Sequence, residues 1–449
     1  MPTLFADTAL LPDGWRNAVR ITVAPDGTIA AVEPDASPNG AERTAGPVVP
    51  GLPNLHSHAF QRAMAGLAER AGPEEDSFWT WRDTMYRTVA SLSPEQVQAI
   101  ARHLYIEMLK AGYTSVAEFH YLHKAPDGTA YADPAEMAKR IAAAAGDAGI
   151  GLTLCPVLYR HGGFGARPPG EGQRRFILTT DEYLDLLTAI EPHTPTGIAF
   201  HSLRAVTVED MGTVLAAVDP AHPVHIHIAE QRREVEDCRA WSGATPIDWL
   251  FDHVEVTGRW CLVHATHASD AELARMAASG AVAGLCPTTE ANLGDGVFPA
   301  RRFRELGGRF GVGSDSHVTV SPSDELRWLE YAQRLTAERR NRLSRPGRPS
   351  VGGSLWQAAL DGGAAALGHR TPGIAVGARA DLLVLGGNHP LLSSVSGDVI
   401  LDRWIFAADR ALVRDVMAGG VWRVRDGHHP KEAEAAAAFA RTAKALASP

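Results

Sequence analysis

The residues most suited to chemistry begin with His56-Ser57-His58, which closes the apolar run Gly46-Pro-Val-Val-Pro-Gly-Leu-Pro-Asn-Leu55. Side chains two apart in a strand share a face, so two imidazoles project together as half of a site for a borderline-soft divalent metal. Three later apolar runs end in compatible groups: His225-Ile-His-Ile-Ala-Glu-Gln231, Cys261-Leu-Val-His-Ala-Thr-His267 and Gly311-Val-Gly-Ser-Asp-Ser-His317. His227 lies nearer the end of its run than His225, so His227 is read as a ligand and His225 as a packed inner-layer histidine. His264 ends its apolar stretch, whereas His267 belongs to the loop beyond. Asp315 directly follows the run Arg309–Ser314; as plain local chemistry, Ser-Asp-Ser would also cap a helix. His56, His58, His227 and Asp315 would hold one metal and leave a position for water, whose pKa the metal lowers. Glu230, three residues beyond His227, is placed for general acid–base work, and His264 for hydrogen-bonding the nucleophile or a tetrahedral centre. The set suits Zn²⁺ first and Fe²⁺ second.

These groups need a scaffold that brings strand ends together. Eight apolar runs alternate with helical stretches: Val48–Leu55, Thr114–His120, Gly151–Leu158, Gly197–Leu203, Pro223–Ala229, Trp260–Thr266, Ala281–Pro287 and Arg309–Ser314. Segments such as Pro94–Ala111 and Pro134–Gly149 carry helix starts, alanine-rich interiors and closing glycines. The pattern predicts an α/β fold, a (β/α)₈ TIM-type barrel, whose chemistry sits at the C-terminal strand ends. Short strands broken by turns precede it, and β-texture returns after residue 373 at Gly377–Leu385 and Arg410–Trp422, before an alanine-rich helix over Pro430–Ala447. The economical reading is a small β-sandwich domain built from both chain termini. Residues 1–48 and 374–449 would form it, flanking a barrel over residues 49–373.

Composition narrows the function. A chain of 449 residues with 45% hydrophobic and 21% charged content suits a globular protein larger than one ordinary core. A net charge of −9 and the lack of a basic stripe argue against a nucleic-acid partner. Arg339–Arg348 is basic but reads as a solvated loop. No apolar stretch approaches a membrane span, and the N-terminus lacks the pattern of a secretory signal. Four scattered cysteines without a C-x-x-C pair read as reduced thiols in a cytoplasmic protein.

The chain resembles members of the amidohydrolase superfamily and, over nearly its whole length, the N-formimino-L-glutamate deiminases of bacterial histidine degradation. The resemblance rests on Pro50-Gly-Leu-Pro-Asn-Leu-His-Ser-His-Ala-Phe-Gln-Arg62, Glu118-Phe-His-Tyr121, Phe200-His-Ser-Leu-Arg204, His225–Gln231, Leu262-Val-His264 and Gly313-Ser-Asp315. It implies a mononuclear zinc enzyme that converts N-formimino-L-glutamate and water to N-formyl-L-glutamate and ammonia. Two-metal members carry a lysine at the end of the fourth strand; here that run ends Ala199-Phe-His-Ser-Leu-Arg204, so a bridging carbamate cannot form. A small-molecule dicarboxylate substrate calls for preset cations, and arginine's fork suits carboxylate. The resemblance carries this role to Gln61, Arg82, Tyr121, His201 and Arg204, although Arg82 beside Phe78-Trp-Thr-Trp81 would also serve as a stacking residue and Arg204 as a solvated one. The expected assembly is a homodimer. Trp79, Trp81 and Tyr86 read as packing for a lid or interface, Gly294-Asp-Gly296 as a turn, and Glu290 and Asn292 as either loop or pocket residues; His317 receives no role. Two alternatives use the same barrel: an aminopurine- or aminopyrimidine-type deaminase, and an inactive scaffold homologue.

Overall fold

A computed structural model, which describes residues 1–70 and 77–447, resolves the apolar runs into eight parallel strands. They are Leu52–Ser57, Tyr113–His120, Gly151–Leu158, Ile198–Ser202, Val224–Ile228, Trp260–His264, Val282–Leu285 and Arg309–Val312, hydrogen-bonded in chain order. Helices cover the outside and side chains fill the inside, so most strand residues are buried on both faces and no alternation shows. The first and eighth strands close the ring through a parallel bridge between Ser57 and Asp315. Across this seam the His58 N–H donates to the Asp315 carbonyl at 3.2 Å, and the Asp315 N–H donates to the His56 carbonyl at 3.0 Å.

Local signals set the elements that feed the strands. Ser93 caps the helix Pro94–Ala111, accepting from the Gln96 N–H while the Gln96 side chain accepts from the Ser93 N–H. That helix runs straight into the second barrel strand. The run Val48–Leu55, read as one strand, is two. Val48–Pro50 pairs antiparallel with Leu382–Leu385 in another sheet, and Leu52–Ser57 joins the barrel. Gly51 is the joint, where a Cβ would fall 2.3 Å from Thr114 Cγ2. Both halves are fully buried, so hydrophobicity alone carries no mark of the switch. Arg410–Trp422 likewise divides into a short turn of 3₁₀ helix, Arg410–Leu412, and the hairpin Val413–Ala418 and Val421–Val424.

The second sheet joins both ends of the chain. Its order runs Val421–Val424, Val413–Ala418, Leu382–Leu385, Val48–Pro50, Thr3–Leu11, Gly14–Val23 and Ile29–Glu33, with Glu42–Arg43 beside Thr3–Leu11. Ile29, on the last strand, exchanges hydrogen bonds with Gly377 and Ala378, each 2.8 Å. The sheet therefore folds back on itself and encloses a separate core that includes Leu4, Val19, Ile21, Leu382 and Met417. Among the described residues, no helix is long and apolar enough to cross a membrane.

The helix Val351–Ala366 closes the barrel floor. It packs against the first and eighth strands so closely that a Cβ on Gly362 would stand 1.9 Å from the Phe310 carbonyl oxygen. His225, from the fifth strand, donates through Nε2 to the Ala366 carbonyl at 2.8 Å, tying the helix end to the barrel. Chemistry is left to the opposite rim. Gly362→Ala is expected to destabilise the protein by about 1–3 kcal/mol through overpacking. Gly146→Ala, in a helix where a Cβ meets nothing within 4 Å, is expected to be neutral or stabilising by up to about 1 kcal/mol. Urea unfolding curves of the two variants check this contrast.

Candidate metal centre

Strand ends five, six and eight pass through backbone that L-residues rarely adopt. Ala229, His264, Ala265, Asp315 and His317 have φ of 49°, 70°, 50°, 47° and 61°. Left-handed backbone at non-glycine positions is held only where its surroundings over-determine it, and such positions cluster at active sites.

The side chains of His56, His58, His227 and Asp315 converge. The Nε2 atoms of His56 and His58 are 3.1 Å apart, those of His58 and His227 3.3 Å, and those of His227 and His56 3.0 Å. Asp315 Oδ1 lies 3.5 Å from His56 Nε2 and 3.3 Å from His58 Nε2. Four donors about 2.0–2.1 Å from one tetrahedral ion stand roughly 3.3 Å from each other, so the spacing fits a single Zn²⁺-sized centre. The tautomers agree. His58 Nδ1 donates to the Phe119 carbonyl and His227 Nδ1 to the His201 carbonyl, both at 2.9 Å, which leaves each Nε2 lone pair facing the centre. Burial, together with the neighbouring imidazole of His58, lowers His56 to about 3, and burial lowers His58 and His227 as well. The three rings are thus neutral near pH 7, the state a metal requires. Burial would raise Asp315, but its hydrogen bond to His56 and the surrounding imidazoles overcome this and hold it well below the usual carboxylate range.

Glu230 and His264 stand beside this group. His264 Nε2 is 3.7 Å from Glu230 Oε1 and 3.8 Å from Asp315 Oδ2, and its Nδ1 donates to Glu290 Oε1 at 3.3 Å. Burial raises Glu230 to about 7. Burial works the other way on His264, yet the carboxylates of Glu230, Glu290 and Asp315 prevail and raise it to about 10 in the metal-free protein. Glu290 therefore sits behind His264 and outside the pocket. Glu234, which sequence reasoning missed, accepts from the Glu230 N–H at 3.0 Å from the first turn of the following helix.

All five residues assigned to substrate line one pocket with His58, His227 and Asp315 of the metal group. Gln61 Nε2 donates to the Tyr121 hydroxyl at 3.0 Å, and the His201 ring packs 4.3 Å from that of Tyr159. Arg82 and Arg204 flank Trp79, their guanidinium carbons 4.6 and 5.8 Å from its ring. The Nε of each is buried without a hydrogen bond, and Arg204 has Glu234 at 3.7 Å. Trp81 and Tyr86, read as lid packing, come from the helix Phe78–Val89 and line the same pocket, as do Tyr159 and Phe176, which were not anticipated. Tyr159 directly follows the third strand, so its position alone was a usable signal; Phe176 lies in an irregular stretch that carries none. His225 is on the floor, His267 lies on the loop beyond the sixth strand, and Asn292 donates to Glu69 away from the pocket.

A closed parallel barrel with such a histidine–aspartate group at its C-terminal rim defines a class of metal-dependent hydrolases, and the comparisons agree. The chain belongs to the amidohydrolase family, which it matches over residues 48–423. Residues 1–46 match the domain described as "Formimidoylglutamate deiminase HutF, N-terminal domain". The chain is 60% identical over 444 residues to the formimidoylglutamate deiminase of Pseudomonas aeruginosa, with 98% of each chain covered. It is 29% identical to the 8-oxoguanine deaminase of the same organism, covering 85% of this chain and 82% of that one. A crystal structure of an amidohydrolase from Brucella melitensis superposes with a TM-score of 0.95 at 50% identity, covering 99% of this chain and 100% of the other.

Protein stripped with a chelator is expected to gain thermal stability on adding Zn²⁺, by about 2.7 kcal/mol at a hundredfold excess over Kd. His227→Ala should abolish that gain; differential scanning calorimetry with and without zinc measures it.

Proposed function

We propose that the protein hydrolyses N-formimino-L-glutamate to N-formyl-L-glutamate and ammonia, using one divalent ion, Zn²⁺, held by His56, His58, His227 and Asp315. The observation that carries this reading is the pairing of that donor group with two half-buried arginines, each with its Nε buried, in one pocket. It is supported by the 60% identity, over 98% of both chains, to a formimidoylglutamate deiminase. An ion in this donor set acidifies water and acts as a Lewis acid.

The remaining chemistry falls to side chains. Glu230, raised to about 7 by burial, can both take and release a proton near neutrality. Its carboxylate accepts the proton of the attacking water and delivers it to the departing nitrogen, so HN=CH–NH–R and water give O=CH–NH–R and NH₃. His264 Nε2, 3.7 Å from Glu230 and 3.8 Å from Asp315, donates to oxygen at the tetrahedral carbon. Arg82 and Arg204 each receive a carboxylate of the glutamate moiety, and the Gln61–Tyr121 pair fixes the chain between them. Phe78, Trp81 and Tyr86 wall the pocket against water. A flat aminopurine or aminopyrimidine would bring no anion to Arg82 and would leave Arg204 with Glu234 alone, 3.7 Å away, which disfavours that alternative. The four buried, unpaired cysteines suit a cytoplasmic enzyme of histidine degradation, and a homodimer is the assembly expected.

Ammonia release measured with formimino-glutamate, formimino-aspartate, guanine and cytosine side by side should give turnover with the first far above the others. Equal or greater release from a base overturns the reading. Glu230→Gln should keep its metal and lose about 10²–10⁴ in kcat. Arg204→Ala should raise KM by about 10–100-fold, the worth of a charged hydrogen bond, with a smaller change in kcat; steady-state kinetics separate the two.

A further inference from the structure

Beneath the candidate metal group, the barrel seam carries a buried polar chain that the proposed chemistry does not use. Asn54, Ser57, Glu118, Ser314 and His317 are all fully buried. Asn54 Nδ2 donates to Ser314 Oγ at 2.6 Å, and Ser314 Oγ is 2.9 Å from His317 Nδ1. His317 Nε2 is 3.2 Å from Ser57 Oγ, and Ser57 Oγ donates to Glu118 Oε2 at 2.5 Å. The other carboxylate oxygen, Oε1, accepts the Ala59 N–H at 2.6 Å. At the far end, Asn54 Oδ1 accepts the N–H groups of Ser314 at 3.1 Å and His56 at 3.4 Å.

Counting donors fixes the direction of this chain. Backbone N–H groups bound both ends and cannot be reversed, so Asn54 must present oxygen to them and its amide hydrogens to Ser314. Ser314 then gives its hydroxyl proton to His317 Nδ1, His317 Nε2–H donates to Ser57, and Ser57 donates to Glu118. A carboxylate is the one terminus that accepts from both Ser57 and Ala59. An amide in its place keeps the Ala59 bond only by turning its NH₂ toward Ser57, which reverses the links through His317 and leaves the Ser314 hydroxyl proton without its acceptor in the chain.

The chain brackets the residues that converge above it. Asn54 and Ser57 flank His56, Ser57 and Ala59 flank His58, and Ser314 and His317 flank Asp315. We infer that Glu118, with Ser57 and His317, forms a positioning network that presets the affinity of this site for its metal by locking the two sides of the seam in register. The inference rests on the reading of His56, His58, His227 and Asp315 as a metal site. None of the three touches substrate; they act through the ligands, as outer partners of metal ligands do.

The test uses full-length protein stripped of metal, with folding verified by circular dichroism and thermal unfolding. Zn²⁺ affinity is then measured by competition with a chromophoric chelator for wild type, Glu118→Gln and Ser57→Ala. The expected result is binding about 10–100-fold weaker in both variants. KM for formimino-glutamate should be unchanged, and activity lost at limiting zinc should return with excess zinc. A purely structural role would lower the unfolding temperature of the metal-free protein and leave Zn²⁺ affinity in the folded fraction untouched. Wild-type affinity in folded variants therefore overturns the inference. Ser57→Ala decides alone if Glu118→Gln does not fold. Failure of the wild type itself to bind Zn²⁺ would sink the metal reading and the network with it, and is told apart because it precedes any comparison of variants.

Discussion

The structure depends on one short contact, the pair of backbone hydrogen bonds that join His56 and His58 to Asp315 across the barrel seam. These bonds turn an eight-stranded ribbon into a ring, and the residues that make them are the ones whose side chains meet at the rim. Because side chains alternate along a strand, a slip of one residue here would turn His56 and His58 out of the barrel and bring Ser57 in. The closure of the fold and the assembly of the site are the same event.

Around that contact the pocket is strongly polarised, which the net charge of −9 gives no hint of. One end gathers the carboxyl groups of Glu230 and Asp315 around His264, with Glu290 behind the ring. The other end holds Arg82 and Arg204, which flank the Trp79 ring. A molecule with a basic nitrogen group at one end and carboxylates at the other fits such a gradient lengthwise. Glu234 links the two ends, lying 3.7 Å from Arg204 while accepting the backbone N–H of Glu230.

Much of this was legible in the sequence because the informative residues fall at the ends of apolar runs. The period of two set His56 beside His58, and the strand-end position distinguished His227 from His225 and His264 from His267. Where signals failed, they failed for identifiable reasons. Val48–Leu55 contains a change of sheet, but full burial on both sides of Gly51 makes the two strands compositionally alike. Phe176 reaches the pocket from an irregular segment with no periodicity. His317 looked idle because its partners Ser57 and Ser314 belong to opposite sides of the seam, a relationship visible only once the ring is closed. Trp81 and Tyr86 were assigned to packing, and they do pack, but on the face that encloses the pocket.

The joining of both chain ends in one sheet bears on how the polypeptide is made. Pro50 pairs with Leu382, and Ile29 with Ala378, so the first strands emerge from the ribosome long before their neighbours exist. Until then Val48–Pro50, a strand without polar residues, presents an open edge capable of pairing with other chains. Such distant pairing is slow and prone to aggregation. Growth temperature and chaperone supply during expression would therefore govern the yield of this protein more than the stability of its finished barrel.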